Sequence, residues 1–192
     1  MIAIVKYNAG NIKSVQNALI RLGYDSIVTD DVAALNSAEK VIFPGVGEAS
    51  SAMNFLRERG LDDVIKNLKQ PVLGICLGMQ LMCSSSEEGE TECLGIFPNK
   101  VKRFEDTVIV PHMGWNELSS LKGVLFQNLQ TESDAYFVHG YYADLSEETS
   151  AVCHYSIPFS AAIEKGNFYG TQFHPEKSSD VGESILKNFL EL

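Results

Sequence analysis

Short, wholly apolar runs recur along this chain, each followed by a turn and then by a stretch with helical spacing. That alternation limits the fold more than any other feature. Residues 2–6 begin Ile2-Ala3-Ile4-Val5, residues 40–43 read Lys40-Val41-Ile42-Phe43, and residues 71–75 read Pro71-Val72-Leu73-Gly74-Ile75. A strand that is apolar on both faces must be covered on both faces, the condition of a parallel sheet between layers of helices. Ile12, Val15, Leu19 and Leu22 recur at helical spacing, and Gly23 ends that helix. Residues 25–28 read as a second strand. Met53, Phe55, Leu56, Leu61, Val64, Ile65 and Leu68 supply further helical material before residue 71. From residue 93 to about 155 the texture changes: strand-like pieces at 95–101, 107–110 and 135–138 are separated by turn residues, and read as antiparallel additions. Residues 168–173 return to the sheet, and 181–190 form a closing amphipathic helix through Ile185, Leu186, Phe189 and Leu190. With no internal repeat and no linker, the expectation is one α/β domain over residues 1–192, a mostly parallel central sheet flanked by helices with antiparallel additions.

The formal net charge of -10 disfavours phosphate backbones and anionic lipid, so neither nucleic acid nor a membrane surface is an expected partner. The N-terminal apolar run is too short for a signal peptide, and no stretch approaches the roughly 18 apolar residues of a membrane span. Cys76, Cys83, Cys93 and Cys153 form no C-x-x-C pair and fit no zinc spacing, so free thiols in a reducing cytoplasm, with no metal, are expected.

One of those thiols has an unusual setting. Gly74-Ile75-Cys76-Leu77-Gly78 joins an apolar strand to a helical Met79-Gln80-Leu81-Met82. This G-x-C-x-G is the thiol counterpart of a nucleophile elbow, a tight strand-to-helix turn with small flanking residues that let neighbouring chain pass close by. The helix N-terminus favours a thiolate, and the amide of Leu77 faces the same space as a donor to an oxyanion. An isolated Cys is ordinarily a buried core thiol. Two glycines at ±2 between strand and helix argue otherwise here.

A thiol nucleophile needs a base, and the base an orienting acceptor. Among His112, His139, His154 and His174, only the last ends an apolar strand with a His-x-Glu, in Gly170-Thr171-Gln172-Phe173-His174-Pro175-Glu176. At a spacing of two in extended chain, both side chains point the same way. Glu176 then holds the imidazole while its other nitrogen faces Cys76. Adjacent parallel strands would bring residues 76 and 174 together.

At this point the chain resembles a known family. Leu73-Gly74-Ile75-Cys76-Leu77-Gly78-Met79-Gln80 and Thr171-Gln172-Phe173-His174-Pro175-Glu176 resemble the two signatures of class I (triad-type) glutamine amidotransferases, whose fold is flavodoxin-like. More narrowly, five segments resemble the glutaminase subunits of imidazole glycerol phosphate synthases, of histidine biosynthesis. They are Gly10-Asn11-Ile12-Lys13-Ser14-Val15, Pro44-Gly45-Val46-Gly47, Pro111-His112-Met113-Gly114-Trp115-Asn116, Tyr136-Phe137-Val138-His139 and His174-Pro175-Glu176-Lys177-Ser178.

The resemblance implies a triad of Cys76, His174 and Glu176 and an oxyanion hole at Val46, Gly47 and Leu77. It implies L-glutamine contacts at Gly47, Gln80, Glu88, His139, Gly140 and Tyr141, although Glu88 also reads as part of a solvated acidic loop. It implies no cofactor. It further implies a 1:1 heterodimer with a (β/α)8-barrel cyclase that uses the released ammonia, with Met113, Trp115, Tyr136 and Lys177 facing that partner and Asn11 coupling the two sites. Trp115 reads equally as a core residue. Two departures stand out: Gly140 replaces the usual hydroxyl residue, and Lys6-Tyr7-Asn8 replaces a usual acidic one. The alternatives are a glutaminase subunit of another amidotransferase pathway, a cysteine peptidase or γ-glutamyl hydrolase, and a non-catalytic interaction module of the same fold.

Overall fold

The computed structural model describes residues 1–130 and 133–192. The first half alternates strand and helix: β1 (Ile2–Val5), α1 (Ile12–Arg21), β2 (Ser26–Thr29), α2 (Val32–Ser37), β3 (Lys40–Gly45), α3 (Ala49–Glu58), α4 (Leu61–Asn67), β4 (Val72–Cys76) and α5 (Leu77–Met82). Short strands follow: β5 (Ser85–Ser86), β6 (Thr91–Glu92) and β7 (Lys100–Arg103). Next come β8 (His112–Leu118), β9 (Ser133–His139), β10 (Tyr141–Ala143), β11 (Thr149–Tyr155), β12 (Ile157–Lys165) and β13 (Phe168–Thr171), and α6 (Ser179–Leu190) closes the chain.

Among the described residues the principal sheet has the order β11-β12-β13-β4-β3-β1-β2. The run β13-β4-β3-β1-β2 is parallel throughout, whereas β12 and β11 are added antiparallel. Strand side chains alternate between faces, and the core divides accordingly. Ile2, Ile4, Ile42, Leu73 and Ile75 pack on one side with Val15 and Leu19 of α1, Phe137 of β9 and Ile185 and Phe189 of α6. Ala3, Val5, Val41, Phe43 and Val72 pack on the other with Leu35, Met53, Leu56, Ile65 and Leu81 from α2 to α5. A smaller sheet, β10-β7-β5-β6, and the β8-β9 hairpin complete the fold.

The doubly covered parallel sheet, the flanking helices and the antiparallel additions match the sequence expectation. Local boundaries differ where tertiary contacts override apolar pattern. Residues 95–99 are not strand; instead the amides of Leu94, Gly95, Ile96 and Phe97 bond to the carbonyls of Leu81, Cys83, Met82 and Met82, closing the C-terminal end of α5. Their apolar residues mark packing beneath a helix end, and strand begins only at Lys100. Residues 107–110 form a turn, with Val108 N bonded to Glu105 O, and Val108 and Val110 lean on the core without pairing. Helix α2 escaped the periodicity because Leu35 is its one buried residue; it is held by Asp31, whose carboxylate accepts from Ala34 N at 2.8 Å.

Register then fixes what lies at the carboxyl edge of the sheet. Gly45 pairs with Cys76 across β3 and β4, and Thr171 pairs with Ile75 across β13 and β4. The turn after β3, the turn after β4 and the turn after β13 therefore emerge side by side, where open α/β sheets form their crevices. The turn at Cys76 is possible only because residue 78 lacks a side chain: a Cβ there would lie 1.7 Å from the carbonyl oxygen of Phe43. Gly78→Ala is expected to cost about 3 kcal/mol or more, since the obstructing atom is backbone that cannot move aside. A urea midpoint within error of the parent chain would refute that account.

Candidate active site

Cys76 ends β4 with φ 53° and ψ -108°, a conformation that a non-glycine residue holds only when its surroundings impose it. Its neighbours impose it. β3 and β13 clamp β4 on both sides, and α5 starts at the next residue. The strain turns the sulfur out of the sheet into a cavity of about 190 Å³.

Val46, Gly47, Cys76, Leu77, Gln80, Glu88, Val138, His139, Gly140 and Tyr141 line that cavity together with Pro111. Every sequence candidate for the oxyanion hole and the glutamine contacts is therefore gathered around the sulfur. As the first residue of α5, Leu77 has an amide with no intrahelical partner. The Val46 carbonyl accepts from Gly10 N at 3.2 Å, and Gly47 stands at φ 142°. Glu88 is half-buried, and one carboxylate oxygen accepts from Ala49 N at 2.8 Å. Burial pushes its carboxyl above the usual range, partly offset by that bond. A side chain at position 140 would press on Val110 at 3.3 Å, so Gly140 presents backbone alone to the cavity.

His174 and Glu176 lie behind the sulfur, both side chains buried. His174 Nδ1 meets Glu176 Oε1 at 2.8 Å. The segment that holds them is not the extended chain expected from the sequence. Pro175–Lys177 is a 3-10 turn, closed by Lys177 N to His174 O and Ser178 N to Pro175 O, and its curl brings the carboxylate against the ring. Asn11, at φ 73° before α1, donates through Nδ2 to Glu176 Oε1. With Nδ1 committed to Glu176, the 3.2 Å approach of Asn11 Nδ2 to that nitrogen is proximity alone. The nitrogen left for the sulfur, Nε2, has no hydrogen-bond partner among the described residues, yet Cys76 is close enough to bias its protonation. Burial pulls His174 toward neutrality, but the Cys76 and Glu176 side chains outweigh burial and raise it to about 10. That favours a charged imidazolium at His174. Burial pushes the Cys93 and Cys153 thiols up to about 12 and Cys83 well above its ordinary value, so these three are inert core thiols.

The candidates for a partner-facing surface divide. Met113 and Trp115 are 64% and 54% exposed, so Trp115 is not core. Tyr136 is half-buried opposite Trp115 in the β8-β9 pairing, the rings meeting edge-on at 6.0 Å, and Lys177 is exposed. Trp115 and Lys177 share a second groove of about 510 Å³ with Arg21 and Asp180, and Glu176 reaches it through its backbone, its side chain being fully buried.

Three residues with no assigned role in the sequence reading belong to the site. Tyr7 is buried against Phe43 and donates to Pro44 O at 2.6 Å, bracing the turn after β3. It gives the departure at Lys6-Tyr7-Asn8 a structural purpose. Ser178 Oγ donates to His174 O at 2.7 Å and accepts from Tyr136 N at 2.9 Å, tying His174 to β9. Gln172, fully buried, places Nε2 3.7 Å from the Cys76 sulfur. The signal for Gln172 was a polar residue within an apolar strand; Tyr7 and Ser178 gave none.

With this arrangement on view, the comparisons assign the class. The chain matches the model of the class-I glutamine amidotransferases over residues 3–192, and it belongs to that family of glutamine-hydrolysing enzymes. It is 59% identical to the imidazole glycerol phosphate synthase subunit HisH of Bacteroides fragilis, over all of this chain and 99% of that one. It is 47% identical to subunit HisH 2 of Legionella pneumophila, over all of this chain and 98% of the other. Among solved structures, a glutamine amidotransferase from Thermotoga maritima superposes with a TM-score of 0.66, covering 99% of this chain and 82% of that one. Its 17% identity makes the likeness one of fold.

Two other histidines line or back the cavity in neutral form. Burial lowers His112 to about 4 and His139 to about 3, against about 6.5 in an unfolded chain. Below pH 6.5 the unfolded chain takes up protons that the folded one refuses, so stability is lost as pH falls from about 6.5 toward 4. Urea midpoints should decline across that window, and His112→Asn should flatten the decline. Equal midpoints at pH 7 and pH 4.5 would contradict the neutral assignment.

Proposed function

We propose that this chain is the glutaminase subunit of an imidazole glycerol phosphate synthase, with Cys76, His174 and Glu176 as its triad. The observation that carries the reading is the His174–Glu176 contact at 2.8 Å behind a strained cysteine, in a cavity that also presents Gln80 and Glu88. The full-length likeness to HisH subunits supports the choice of pathway over other amidotransferases.

In this reading the Cys76 thiolate attacks the carboxamide carbon of L-glutamine, and the developing oxyanion is received by backbone amides at Leu77 and in the Val46–Gly47 turn. His174, charged by its neighbours, gives its proton to the departing ammonia, leaving a γ-glutamyl thioester. The now neutral ring takes a proton from water, the hydroxide attacks the thioester, and glutamate leaves with the thiolate restored. Glu176 holds the ring in one orientation throughout. Glu88 is suited to the substrate's α-ammonium, and the backbone at His139, Gly140 and Tyr141 to its carboxylate. No step calls for a metal or organic cofactor.

The residues 1–192 act as one glutaminase domain in the cytoplasm. Among the described residues no helix is long and apolar enough to cross a membrane. Ammonia is protonated in bulk water, so it calls for a shielded path to a synthase subunit, and the resemblance to HisH subunits supports a 1:1 heterodimer with a (β/α)8-barrel cyclase. That cyclase uses the ammonia to form imidazole glycerol phosphate and an aminoimidazole carboxamide ribotide. The exposed Met113 and Trp115, with Tyr136 and Lys177 beside them, are the surface we assign to that partner, because apolar side chains of this size gain most from being covered. Asn11, bonded to Glu176 at the start of α1, is placed to couple partner docking to the triad.

Cys76→Ala in the complex should abolish glutamine-dependent product formation, a loss of at least about 10³-fold, while added ammonium still supports turnover. The assay is product formation with each nitrogen source in turn. Loss of ammonium-dependent turnover, or retention of the glutamine reaction, would end the proposal.

A further inference from the structure

The directions of the hydrogen bonds that join His139, His112, Gln80 and Gln172 follow from a single atom that can only accept. The carbonyl oxygen of Tyr141 receives His139 Nδ1 at 2.7 Å and Gln80 Nε2 at 3.0 Å. His139 must therefore carry its proton on Nδ1 and accept at Nε2, which lies 2.9 Å from His112 Nδ1. His112 in turn donates at Nδ1 and accepts at Nε2 from Asn116 Nδ2 at 3.3 Å, and Asn116 Nδ2 also donates to the carbonyl of His154. On the other arm, Gln80 Nε2 is identified as nitrogen by Tyr141, so the Gln172 atom 2.9 Å away is oxygen. The remaining Gln172 atom, 3.7 Å from Cys76 Sγ, is then the amide nitrogen, with a hydrogen to give. Gln172 is fully buried and its backbone is pinned by Gln172 N to Ala161 O at 2.8 Å, so the amide cannot escape by turning to solvent.

We infer that Gln172 is a positioning residue for the nucleophile: its side-chain N–H donates to the Cys76 sulfur, in a direction imposed by Gln80 and the Tyr141 carbonyl, and favours the sulfur in its charged, accepting form. The remaining thiol contact, to the Val138 carbonyl at 3.9 Å, is one a thiol can make only as donor. The two contacts oppose each other, and Gln172 tips the sulfur toward the thiolate that His174 awaits. The neutral His112–His139 pair keeps the Tyr141 carbonyl in place from the far side and brings no positive charge of its own. A residue that acts this way binds no substrate and exchanges no proton.

The inference rests on Cys76 being the nucleophile but on neither glutamine nor a synthase partner, so the test uses the full chain and a small electrophile. Alkylation by iodoacetamide is followed at Cys76 by mass spectrometry between pH 5 and 10. The ionisable groups facing the sulfur are His174 backed by Glu176, Tyr7, His139 and Glu88, and Gln172→Met alters none of them. Gln172→Met is expected to slow alkylation at pH 7 about tenfold or more and displace the profile to higher pH. Gln172→Asn, a gentler change that withdraws the amide by one methylene, should move the profile the same way by less. In the complex, kcat should fall with KM nearly unchanged. A filler role for Gln172 would lower the unfolding midpoint and leave the profile in place. A wild-type profile in either folded variant overturns the inference while leaving the nucleophile standing. If Cys76 in the parent chain reacts no faster than Cys83, Cys93 and Cys153, there is no activated sulfur, and both readings fall.

Discussion

The pairing of Gly45 with Cys76 across β3 and β4, with Thr171 against Ile75 on the other flank, is the constraint to which the other features of this site answer. Parallel strands must end at a common edge, and here three of them end within one residue of each other. In the proposed reading the edge supplies an anion-receiving turn after β3, a nucleophile at the end of β4 and the histidine that follows β13. The cost of the arrangement appears as backbone strain at Cys76, roughly 1–3 kcal/mol for a residue held at φ 53°. The strain persists because β4 is buried along its whole length and hydrogen-bonded on both sides. A strand at the edge of the sheet would relax instead.

Around that edge the fold sorts its histidines by what faces them. His174 is buried beside a carboxylate and a sulfur, and is charged well above neutral pH. His112 and His139 are buried among Phe104, Phe137, Tyr155 and each other, and are neutral well below it. Burial acts on all three in the same direction; only the neighbouring anions differ. An acid with a proton ready to give and a rigid neutral wall are thus made from the same side chain within one site.

The β8-β9 hairpin connects this interior to the surface. His139 lines the cavity, His112 and Phe137 are buried behind it, and Met113 and Trp115 stand outside. Tyr136 belongs to both, since its backbone bonds to His174 and Ser178 while its ring meets Trp115. A partner seated on the outer face would press on a strand whose Tyr136 carbonyl accepts from His174 N and whose Tyr136 amide donates to Ser178 Oγ. That is a mechanical link of one residue's thickness between the outer face and the site.

The parallel sheet, the elbow at Cys76 and the His174–Glu176 pair were legible in the sequence because each depends on local pattern: apolar runs, glycines at ±2 and a carboxylate two residues from a ring. Where local pattern and tertiary contact disagreed, contact won. The apolar residues 95–99 seal the end of α5, residues 107–110 turn, and α2 buries too little to show a period. The exposure of Trp115, the bracing by Tyr7 and Ser178 and the donor role of Gln172 could not be read ahead, because each depends on partners far away in the chain. Gln172 lies 96 residues from Cys76 and 92 from Gln80. Sequence determined which chemistry the chain carries, since reactive groups and their flanking glycines are written into it. Tertiary structure alone decided which way each proton points, since that follows from a carbonyl at Tyr141 whose place is set by the packing of β9, β10 and α5.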